Sequence, residues 1–90
     1  MLEATVSVTN TLGLHARAAA QLVRLANNFR CSVTIKRPDT ETKADAKDIL
    51  SVLHLAANCG VELQIIADGD DELDAMTQIE NLFADKFGEE

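Results

Sequence analysis

The chain has 90 residues, 47% of them apolar and 26% charged, and carries a formal net charge of −7. That length fits a single domain, residues 1–90, with a thin stability margin, and the charge argues against nucleic acid or an anionic membrane as partner. Three Phe with no Tyr or Trp leave the core to aliphatic side chains and remove the aromatic platforms on which single-stranded nucleic acid stacks.

Residues 2–9 (LEATVSVT) set Leu2, Ala4, Val6 and Val8 against Glu3, Thr5, Ser7 and Thr9. A period of two predicts a strand with one buried face. Asn10 to Gly13 breaks it with turn residues. Over 16–29 the period lengthens: Ala19, Leu22, Ala26 and Phe29 share one helical stripe, and Arg17, Gln21 and Arg24 another. CSVTIKR (31–37) reads as a strand with Val33 and Ile35 inward, followed by a turn at 37–40 and a short returning strand over 40–44. Residues 47–57 are helical in period, with Ile49, Leu50, Val52, Leu53 and Leu55 clustered, and Gly60 ends the connection. VELQIIAD (61–68) alternates again. Gly69-Asp70-Asp71 is expected to turn the chain and cap a last helix running to about Phe87, with Met76, Ile79, Phe83 and Phe87 as its stripe. The order βαββαβα is most economically buried as an α+β open-faced sandwich, a four-stranded antiparallel sheet with three helices on one face.

The N-terminal residues MLEATVSVTN have neither a charged leader nor an apolar run, and no stretch reaches membrane-spanning length. A soluble cytoplasmic monomer is expected. Cys31 and Cys59 have no metal-ligand spacing and are expected to be small buried hydrophobes. No cofactor or metal is called for. Charge is uneven: residues 14–37 hold Arg17, Arg24, Arg30, Lys36 and Arg37 without one carboxylate, whereas 68–90 are rich in Asp and Glu. Such a segment suits an anion, although ordinary surface asymmetry accounts for it equally well.

The chemistry lies in Asn10-Thr11-Leu12-Gly13-Leu14-His15-Ala16-Arg17. A glycine turn closes a strand, and a histidine follows just before a helix. The first helical turn leaves its backbone N–H groups unpaired, and the macrodipole makes that end electropositive. An imidazole there is disfavoured as the cation, and a neutral ring has a lone pair for attack on phosphorus. A phosphoryl group once attached would meet the Ala16 and Arg17 amides and the Arg17 guanidinium. The competing reading makes His15 a plain helix cap and Arg17 a solvated charge.

The segment from Val8 to Arg17 resembles the active-site segment of the HPr family, the histidine-containing phosphocarriers of the bacterial phosphotransferase system. The likeness runs through Gly13-Leu14-His15-Ala16-Arg17, Ala46-Lys47-Asp48-Ile49-Leu50 with Val52-Leu53, the VELQI strand and the closing helix to near Phe83. It implies a carrier and not an autonomous enzyme. Enzyme I, charged from phosphoenolpyruvate, would phosphorylate His15 at the ring nitrogen facing the helix start. His15 would then pass the group to a histidine on an enzyme IIA component. Arg17 matches the arginine that steadies the phosphoryl group, and Ala20, Arg24, Ile49, Leu50 and Leu53 match the partner-docking positions.

Three positions depart from the family pattern: Ala18 replaces the usual proline after the arginine, Asn27 lacks a common positive charge, and Asp48 stands where Gram-positive relatives carry a regulatory serine. Aspartate takes no kinase phosphate and makes a good N-cap. Ile49 and Leu50 are adjacent, so one should face solvent. His54 is expected at the surface near a helix end. The acidic last helix and the missing serine resemble the nitrogen-regulatory branch more than the sugar-uptake branch. A reading from another class is an unphosphorylated α+β interaction domain that keeps the fold.

Overall fold

The computed structural model describes residues 1–89. Strand β1 (Leu2–Ser7) leads to helix α1 (Ala16–Ala26), then strands β2 (Ser32–Arg37) and β3 (Thr42–Asp45), helix α2 (Ile49–His54), strand β4 (Glu62–Asp68) and helix α3 (Glu72–Ala84). The strands form one antiparallel sheet in the order β1-β4-β2-β3. The expected α+β open-faced sandwich is therefore present.

Alternation decides which face is covered. In β4, Leu63, Ile65 and Ala67 are buried, whereas Glu62 and Asp68 are exposed. Ile65 pairs with Ala4 on one side and Ile35 on the other, and Ile35 pairs with Ala44. One inward row thus crosses all four strands. Against it pack Ala18, Ala19, Leu22 and Ala26 of α1, Val52 of α2, and Ala75, Met76, Ile79 and Phe83 of α3. The small residues of α1 let the helix lie close, which is where the missing aromatic volume is made up.

Several element bounds differ from the sequence expectation, each for a local reason. Helix α1 stops at Ala26, and Phe29 reaches the core from the following turn. The return strand starts at Thr42, because Glu41 at φ 55° still belongs to the turn. Helix α2 spans six residues and not the eleven of 47–57: Ala56 has φ 49°, and Arg37 Nη1 donates to both the Leu55 and Ala56 carbonyls at 2.9 Å. A cation on the last carbonyls ends a helix without glycine.

The final helix ends at Ala84 and not near Phe87. The chain then makes one tight turn, Lys86–Gly88, with φ of 55° at Lys86, 57° at Phe87 and 73° at Gly88. This left-handed turn swings Phe87 back into the core, where its ring meets that of Phe83 edge to face at 4.9 Å. Asp71 stands at the N-cap of α3 as expected, but its side chain makes no capping bond there. Its carboxylate accepts the Arg30 and Cys31 N–H groups at 2.8 and 2.9 Å, pinning the loop before β2 to the turn before α3. These bonds, the Arg30 amide foremost, hold the Asp71 carboxyl below its ordinary value of 3.8. Cys31 is buried as expected, but Cys59 is exposed, since it lies in the loop between α2 and β4. No helix among the described residues is long and apolar enough to cross a membrane.

Candidate functional site

The residues just before α1 are held from two sides. Gly13 donates to the Asn10 carbonyl at 3.1 Å, and Leu14 donates to the Ala57 carbonyl at 2.8 Å. Gly13 sits at φ +69°, and a Cβ there would fall 2.6 Å from the Ala57 oxygen. Only glycine fits both the conformation and the approach. Leu14 is buried and anchors the loop, so the next side chain, His15, projects from the helix mouth.

His15 is the N-cap of α1, in extended backbone at φ −76° and ψ −177°. Its Nδ1 accepts the Arg17 N–H at 3.3 Å, and its carbonyl accepts the Ala19 N–H at 2.8 Å. Ala19 is thus the first amide of the helical ladder, and the amides of Ala16 to Ala18 precede it. No acidic residue of α1 itself lies in its first turn, where the macrodipole is positive. The imidazole is 29% exposed, enough for another protein to reach one edge. Arg17 is exposed, and among the described residues its guanidinium holds no ion pair. It borders an open depression shared with Thr11, Leu12, Gly88 and Glu89.

The other ring nitrogen is taken by a residue that the sequence reading missed. His15 Nε2 lies 3.1 and 2.9 Å from the two oxygens of Glu89. Glu89 Oε1 also accepts from Asn10 Nδ2 at 3.1 Å, and the same Nδ2 donates to the Gly13 carbonyl at 2.8 Å. Both partners of Nδ2 are acceptors, so the amide orientation of the fully buried Asn10 is fixed. Asn10 first, with His15 and Arg17 behind it, holds the Glu89 carboxyl below the usual carboxylate range. Asn10 read only as a turn former and Glu89 only as one acid among many; nothing in their spacing links them to position 15.

The docking candidates divide. Leu50 is 74% exposed and Ile49 half-buried, which settles which of the pair faces solvent. Arg24 is exposed, while Ala20 and Leu53 are half-buried. Leu12, also exposed, adds an apolar side chain beside Arg17 that the sequence reading did not select. Asp48 caps α2 as expected, its Oδ1 accepting the Leu50 N–H at 3.1 Å. His54 is exposed at the last position of α2.

Among proteins of known sequence, the chain is 43% identical to the phosphocarrier protein HPr of Treponema pallidum over the whole of both chains. It is also 43% identical to that of Cupriavidus necator over 89 residues, covering 99% of this chain and 98% of the other. Among solved structures, HPr-C-His from Thermoanaerobacter tengcongensis superposes with a TM-score of 0.94 at 36% identity, covering 100% of this chain and 99% of that one. A phosphocarrier protein HPr from Bacillus anthracis does so with 0.83 at 29%, covering 89% and 93%. The model described as the PTS HPr component phosphorylation site matches residues 2–85, a span that takes in the helix mouth and every strand. The chain therefore belongs to the HPr family, the phosphocarrier proteins of the phosphotransferase system.

Proposed function

We propose that this phosphocarrier accepts its phosphoryl group on His15 Nδ1 from phosphorylated enzyme I and delivers it to an enzyme IIA component. It works as a stoichiometric carrier in the cytoplasm and turns over no substrate of its own. The observation that carries this reading is the direction of Nδ1, turned toward the amides that open α1 and bonded to that of Arg17. A phosphoryl group there would lie over the amides at the positive end of the helix, with the Arg17 guanidinium, which holds no ion pair among the described residues, close by. Transfer of this kind needs little beyond such positioning and charge stabilisation. Ala20, Arg24, Ile49, Leu50 and Leu53 serve as the docking surface, joined by the exposed Leu12 beside Arg17. Asp48 gives that surface a fixed charge and a helix cap, with no hydroxyl for a kinase.

Incubation with phosphoenolpyruvate and enzyme I, followed by intact mass measurement, tests this. One acid-labile phosphate should be gained, and none by His15→Ala. Arg17→Ala should fold normally and accept the group about ten- to a hundredfold more slowly, the worth of a charge-assisted hydrogen bond. No gain by the wild type beside an active donor would leave the chain an interaction domain that keeps the fold.

A further inference from the structure

The imidazole at the helix mouth is gripped at both nitrogens, and the two grips differ in kind. At Nδ1 the partner is an amide N–H, which only donates, so this nitrogen must carry the lone pair. At Nε2 the partner is a carboxylate, which only accepts when ionised, so this nitrogen must carry the hydrogen. The two constraints agree on one tautomer. The Glu89 side chain is itself held: it is 15% exposed, it accepts from the fully buried Asn10, and its backbone follows the left-handed turn whose Phe87 carbonyl accepts from Gln21 Nε2 at 2.9 Å. A carboxylate this constrained does more than solvate an exposed ring.

We propose that Glu89 is a positioning residue for phosphoryl transfer, fixing His15 as the Nε2–H tautomer with its Nδ1 lone pair aimed at the incoming phosphorus. The inference rests on the phosphocarrier reading and adds to it a residue from the far end of the chain. In the step, the Nδ1–P bond forms while the bond from phosphorus to the donor breaks, its electron pair staying on the donor. The Nε2 proton stays where it is. The ring thereby becomes a phosphorylated cation, and the Glu89 carboxylate at 2.9 Å lies against that new charge. Handing the phosphoryl group on reverses both changes and returns the neutral ring. Asn10 steadies the carboxylate in turn, as an outer partner does for a functional histidine.

The test uses the full chain and reads the ring directly. In ¹⁵N spectra of the neutral protein, wild-type His15 should show a lone-pair-type Nδ1 and a protonated-type Nε2. In Glu89→Ala the two shifts should move toward each other as the second tautomer becomes populated, while amide spectra report an intact fold. Acceptance from enzyme I and from a small phosphoramidate should fall by a similar factor, roughly tenfold or more for the loss of a hydrogen bond to a charged group. Glu89→Gln, which keeps an acceptor oxygen and removes the charge, should fall between the two and guards against misfolding of the alanine variant. Unchanged ¹⁵N shifts in a folded Glu89→Ala, or faster acceptance by it, would overturn the proposal. A loss confined to the protein donor would also overturn it, making Glu89 a docking residue. Failure of the wild type to take any phosphate would sink the phosphocarrier reading instead, and the tautomer spectra would still report on Glu89.

Discussion

At Gly13 two demands meet in one residue: a left-handed φ and a carbonyl 2.6 Å from any added Cβ. Gly13→Ala should destabilise the fold by more than about 1 kcal/mol, measured by urea unfolding. It should also slow phosphoryl acceptance, because relief of the clash moves Leu14 off the Ala57 carbonyl and carries the imidazole with it. Asp71 makes a pH-dependent prediction. The Arg30 amide, followed by that of Cys31, lowers its folded value below 3.8, so the stabilisation is present above about pH 4 and drains away as pH falls through the folded value. Asp71→Asn should therefore lower the urea midpoint at pH 7 and flatten its fall between pH 5 and pH 3, roughly the range over which carboxylates titrate. A midpoint equal to wild type at pH 7 would remove Asp71 from this role. Of these residues, Gly13 was legible as a turn glycine and His15 as the first cap. The duty of Asp71 was not: both a helix cap and a loop tie ask for the same carboxylate after a glycine turn, and only the fold brings Arg30 and Cys31 beside it.

Among the elements, α2 is the one least able to stand alone. Six residues make under two turns, well short of the length at which a helix is stable by itself. It persists because both ends are tied, by the Asp48 carboxylate at the start and the Arg37 guanidinium at the finish. Asp48→Ala should cost about 1 kcal/mol in chemical denaturation. It should also loosen Leu50, which would show as faster amide exchange across 49–54. The same example shows how far periodicity reads. The start of α2 and the solvent exposure of one of Ile49 and Leu50 followed from residues adjacent in the chain. Its end did not, because the residue that terminates it, Arg37, belongs to strand β2. Leu55 and Ala57 are buried all the same, so the apolar pattern ran on past the point where helical geometry had stopped.

For the molecule as a whole, the antiparallel sheet and the inward-facing residues of its strands followed from alternation, whereas the neighbour order β1-β4-β2-β3 came only with the fold and the closing segment was misread. Phe87 falls on the helical stripe of Met76, Ile79 and Phe83, and it is buried with them, but it arrives by a left-handed turn. A helical repeat and a tight reversal deliver the same side chain to the same core, so burial was foreseen and geometry was not. Phe87→Ala should cost about 3–5 kcal/mol, a large share of a small domain's stability, read as a drop in Tm. It should also release Glu89 and so slow phosphoryl acceptance more than an equally destabilising change elsewhere in the core. Equal slowing from both would disconnect the tail from the site.

The imidazole and the carboxylate it meets are 74 residues apart in the chain. A ribosome adding about 5–20 residues per second needs roughly 4–15 s to make that interval. During that time the histidine is already synthesised while its carboxylate partner is not. A nascent chain at that stage would therefore display the glycine loop and the arginine without the completed grip on the ring, and the quality of the site would be coupled to the synthesis of Glu89.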